Sequence, residues 1–102
     1  MIPRRERLLQ LARLLGGGAF EQRFGPPREA EPEPDALRAL VDERLGDIAR
    51  ALVEEAAASD DVIDRASAGG YLDDRLRTLD DLLTPDQAAR LREAFRQQTE
   101  HW

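Results

Sequence analysis

The sequence predicts an all-α protein, and three observations carry that prediction. Apolar residues, mostly leucine, recur at three- and four-residue intervals along most of the chain. No stretch alternates apolar and polar residues with period two, and β-branched residues are few. Capping residues and glycines stand where the periodic runs begin and end. The expected architecture is a small three- or four-helix bundle over residues 35–102. An N-terminal amphipathic segment, 1–24, and a Pro/Glu linker, 25–34, precede it.

The first element runs from Met1 to Leu15. Leu8, Leu11, Ala12 and Leu15 share a helical face, Leu9 and Leu14 widen it, and Glu6, Gln10 and Arg13 lie opposite. Pro3 sits near the start, where a missing N–H is tolerated. Gly16-Gly17-Gly18 ends the helix, because glycine loses the most backbone entropy on ordering. Phe20 and Phe24, four apart, suggest one further helical turn. The segment Gly25–Pro34 holds four prolines and reads as an extended spacer.

From Asp35 to Ala58, Leu37, Val41, Leu45, Ile48 and Leu52 recur at intervals of four, four, three and four. This predicts one helix, about 36 Å long. Gly46 is an interior glycine and suggests a close helix crossing. Ser59, with Asp60 and Asp61 in the first turn, reads as the start of a helix to Ala68. Gly69-Gly70 then terminates or kinks it. Tyr71–Leu83 resumes with Leu72, Leu76, Leu79 and Leu83. Thr84-Pro85-Asp86-Gln87 is a helix start: Thr84 as N-cap, Pro85 first, and Gln87 completing a capping box. Ala88, Leu91, Phe95 and Trp102 share a stripe on or beyond that last helix.

Composition narrows the function classes. The chain has 102 residues, of which 41% are apolar and 35% charged. It has no cysteine, which excludes disulfides, thiol nucleophiles and thiolate metal sites and suits a cytoplasmic protein. No apolar run is long enough to span a membrane. All 15 basic residues are arginine, a coding bias more than a chemical signal. Charge is split along the chain: residues 1–28 carry six arginines against two glutamates, and residues 29–102 carry nine arginines against nineteen carboxylates.

Reactive chemistry is sparse. The single histidine, His101, is next to the last residue, and neither Ser59 nor Ser67 has a nearby base. No enzyme activity, cofactor or metal is therefore expected. The acidic runs Asp60, Asp61, Asp64 and Asp73, Asp74, Asp80, Asp81 lack the calcium-loop pattern and read as solvated faces with arginine partners, Asp61–Arg65 and Asp73–Arg77. The triple glycine follows a helix and lacks a phosphate-loop continuation. Turns near 58–60 and 69–71 would permit a helix-turn-helix, yet the helices after them open on aspartates that repel phosphate. Nucleic acid is thus disfavoured as a partner and stands as a second reading, in which a regulator or inhibitor uses the basic N-terminus or the acidic body.

The string Leu83-Thr84-Pro85-Asp86-Gln87 resembles the LTxxQ signature of the Spy/CpxP family of periplasmic helical chaperones, with similar character through residue 98. That family carries the signature twice, whereas one copy is present here. A capping box before an amphipathic helix produces the same string, so the chain is not assigned to the family.

The expectation that remains is a non-enzymatic protein–protein interaction module, an adaptor, assembly factor or cargo-type protein. The basic leader packs back on the body, docks on a partner through Leu8, Leu11, Leu15, Phe20 and Phe24, or is a processed leader or membrane contact. Residues 35–102 hold eighteen large apolar or aromatic residues, a small core for a domain alone. Homo-oligomerisation through Leu72, Leu76, Leu79, Phe95 and Trp102 would supplement it.

Overall fold

A computed structural model describes residues 3–102, and all regular structure among them is helical. Six helices run in the order α1 Arg4–Leu15, α2 Ala19–Phe24, α3 Pro34–Glu43, α4 Leu45–Ala58, α5 Arg65–Thr78 and α6 Pro85–Gln98, with a 3-10 turn at Asp80–Leu82. Met1 and Ile2, placed by sequence in the first helix, lie outside the described residues.

The triple glycine stops α1 as expected. Gly16, Gly17 and Gly18 all adopt positive φ, at 69°, 58° and 69°, where a Cβ would be strained. The reversal lets α2 fold back on α1, and the rings of Phe20 and Phe24 meet edge to face with centroids 5.2 Å apart.

The proline segment is not a free spacer. The Ala30 amide donates to the Pro26 carbonyl at 2.9 Å, and Pro27 and Ala30 are buried. The turn lies against the body, with Ala30 in the core.

The single helix expected over 35–58 is two. At Arg44 the backbone leaves helical geometry (φ −116°, ψ 18°), and its amide is shared between the carbonyls of Leu40 and Val41. The bend lets one apolar stripe meet two sets of neighbours. Leu37, Leu40 and Val41 of α3 serve the side near the 3-10 turn, while Ile48, Ala49, Leu52 and Ala56 of α4 lie at the centre. α4 packs chiefly on α6 and then on α1. Gly46 marks no crossing, since a Cβ there would meet nothing within 4 Å.

α5 begins later than expected. Ser59 caps the end of α4, and a six-residue loop, 59–64, follows. Asp64 is the N-cap: its carboxylate accepts from the Ser67 amide at 2.9 Å, and Ser67 Oγ accepts from the Asp64 amide at 3.0 Å. The helix then continues through Gly69-Gly70 without a break. Each helical glycine costs about 1 kcal/mol against alanine. The cap, together with burial of Ala68, Leu72 and Leu76, outweighs that cost.

α6 starts as the sequence predicts. The Gln87 amide donates to Thr84 Oγ1 at 3.1 Å, and Gln87 Oε1 accepts from the Thr84 amide at 3.0 Å. All six helices share one hydrophobic core.

Candidate functional site

The structure relocates most of the residues read as binding anchors. Leu8, Leu11, Leu15 and Phe20 are buried in the protein's own core, with Leu14 beside them, and Phe24 is half-buried against it. Each buried leucine contributes about 1.5–3 kcal/mol. Separating four of them from the body would cost an amount comparable with the whole stability of such a domain, about 5–15 kcal/mol. Of the placements read for the leader, the structure has the one in which its helix packs back on the body, not the docking one. Leu72, Leu76, Leu79 and Phe95 are likewise buried in the core of a single chain, and only Trp102 of the expected self-association set stays half-exposed.

Polar contacts reinforce the seat of α1. Arg7 pairs with Asp81, and Arg75 Nη1 donates to Gln10 Oε1 at 3.1 Å. Arg75 Nε lies 3.3 Å from Glu55 Oε2 without hydrogen-bond alignment, and Tyr71 Oη donates to the same carboxylate at 3.1 Å. Burial, and then the Glu55 charge, pushes the Tyr71 phenol above its ordinary range. These contacts tie α1, α4 and α5 together, although the buried Nε atoms of Arg7 and Arg75 have no hydrogen-bond partner.

The acidic runs are solvated, but their partners differ from those expected. Asp73 pairs with Arg92 of α6, and Arg77 pairs with Asp74 at 3.4 Å. Asp60, Asp61 and Asp64 form no ion pair among the described residues. No group of three or more histidine or acidic side chains converges on a metal position among them. Of the two turns read as permitting a helix-turn-helix, the one near 69–71 is absent, because α5 is continuous there, and the other is the 59–64 loop between α4 and α5.

One surface feature stands out from this inventory. Ile63 is 85% exposed, the one large apolar side chain so exposed among the described residues. It lines a cleft of about 300 Å³ with Val62, Ala57, Asp64 and Trp102. The cleft thus joins the last turn of α4, the 59–64 loop and Trp102, four residues beyond the end of α6. The Trp102 amide donates to the Thr99 carbonyl at 3.1 Å, which holds that terminal turn against α6. Thr99 is itself buried, its hydroxyl donating to the Phe95 carbonyl at 2.9 Å. A second groove of about 400 Å³ lies between α5 and α6 and includes Arg65, Ala66, Leu72 and Phe95.

The sequence concealed Val62 and Ile63 by suggesting a helix from Ser59. The available signal was that Ile63 has no apolar residue at 59, 60 or 67, with only alanine at 66.

No protein-family profile, curated protein or solved structure matches this chain.

Proposed function

We propose that this chain is a non-enzymatic helical module that binds another protein through the Ile63–Trp102 cleft. The observation that carries the reading is the exposure of Ile63 beside a half-buried tryptophan. Leaving a large aliphatic group in water forfeits about 1.5–3 kcal/mol of burial, and tryptophan is enriched among binding anchors.

The side chains that chemistry would need are otherwise engaged. Ser67 Oγ belongs to the α5 capping box and Ser59 Oγ accepts from the Asp61 amide at 3.3 Å. His101 is exposed at the end of the chain. Self-association loses its original reason, because α1 and α2 enlarge the core that residues 35–102 lacked. The cleft is lined by five residues, far fewer than the roughly 20–30 a side of a stable interface. It suits one segment of a partner protein and a reversible contact.

A photo-crosslinking amino acid at position 63, expressed in the source cells, tests the reading. The expected result is a discrete adduct with another protein, absent when the same group replaces exposed Arg13. Equal labelling from both positions, or none from 63, would reject it.

A further inference from the structure

The proposed binding role leaves open what kind of segment the cleft accepts, and the charges around it answer that. Asp60 and Asp61 are exposed in the same loop as Val62 and Ile63 and have no ion-pair partner among the described residues. The nearest arginine in sequence, Arg65, lines the neighbouring α5–α6 groove instead of pairing with Asp61. One helix ends at the cleft, α4, whose penultimate residue Ala57 lines it. Helix C-termini carry roughly half a negative charge each. No basic residue occupies the last turn of α4 to offset its end. The one helix N-terminus present, that of α5, is capped by the Asp64 carboxylate. The local field is therefore negative around an apolar floor.

We infer that the cleft takes a basic amphipathic segment of a partner protein. Aliphatic side chains would sit against Ile63 and Val62, and arginine or lysine would face Asp60, Asp61 and the Trp102 indole. Charge complementarity gives the contact its selectivity. The indole face adds cation–π attraction for a guanidinium. This inference rests on the proposed binding role and adds the chemistry of the ligand.

Trp102 is the sole tryptophan of the chain and reports occupancy directly. The full-length protein is titrated with a synthetic amphipathic peptide of leucine and arginine, and separately with a twin in which every arginine is glutamate. The arginine peptide is expected to shift the indole emission, and the glutamate twin is not. Raising salt from about 50 mM to about 500 mM should weaken the arginine complex. The Asp60→Asn, Asp61→Asn double variant should weaken it about tenfold. Glu29→Gln with Glu31→Gln, the same charge change on exposed linker residues, should leave it within about twofold. Ile63→Asp should abolish binding even though it adds negative charge, which separates the cleft from non-specific attraction. No emission change with the arginine peptide, or equal binding by the glutamate twin, overturns the inference while position 63 can still crosslink a partner. An emission change with protein concentration alone, with dimers in sedimentation, also overturns it by making a second copy the occupant. Unchanged peptide affinity in Ile63→Asp, together with absent crosslinking at 63, removes both the inference and the binding role beneath it.

Discussion

The carboxamide of Gln87 donates to the Asp42 carboxylate at 2.8 Å, joining residues forty-five positions apart. The same nitrogen donates to the Arg38 carbonyl at 2.9 Å, while the amide oxygen completes the cap of α6. One buried side chain therefore starts a helix and fastens it to α3. Gln87→Ala should lower stability by about 1–3 kcal/mol, through lost capping and unpaired polar groups. Gln87→Glu should be worse at neutral pH, because it sets a second carboxylate beside Asp42. Its deficit should shrink as acid protonates the new carboxyl and restores a donor. Urea unfolding of both variants across pH checks this ordering.

The N-terminal helix is expected to behave as core. Leu11 is fully buried. Leu11→Ala should cost about 2–5 kcal/mol. Deleting residues 1–24 should leave a chain that unfolds without a cooperative transition in calorimetry. A truncated protein that melts sharply near the full-length temperature would show that α1 is dispensable.

Gly69 and Gly70 lie inside α5 without positive φ, and a Cβ at either would meet nothing within 4 Å. Gly69→Ala and Gly70→Ala should each stabilise the protein by about 0.5–1 kcal/mol. Alanine at Gly17, where φ is 58°, should destabilise it despite equally open space. Thermal denaturation of the three variants distinguishes backbone strain from packing.

The Asp64 carboxyl is held below its ordinary range, chiefly by the hydrogen bond from the Ser67 amide. A carboxyl whose folded pKa is depressed stabilises the native state above its unfolded pKa. That contribution disappears as pH falls through the folded value. The stability advantage of the native protein over Asp64→Ala should therefore be full at neutral pH and shrink in acid, below the usual carboxylate range. A difference that is constant down to strong acid would mean that the charge of Asp64 plays no part in the cap. Melting temperatures of the pair, measured at matched pH, provide the comparison.

What the amino-acid sequence determined by itself is the helical class and the features set by neighbouring residues. The Thr84–Gln87 box and the stop at Gly16–Gly18 are examples, since capping and backbone entropy act over three or four positions. Tertiary structure alone decided which apolar faces meet. It placed Leu8, Leu11 and Phe20 inside, bent the 35–58 stripe at Arg44 and carried α5 through two glycines. In each case burial against distant residues is worth more than the local preference of about 1 kcal/mol that suggested otherwise. The same competition produced the candidate site. Asp64 and Ser67 start α5 too late to include Ile63, and no distant element covers that side chain.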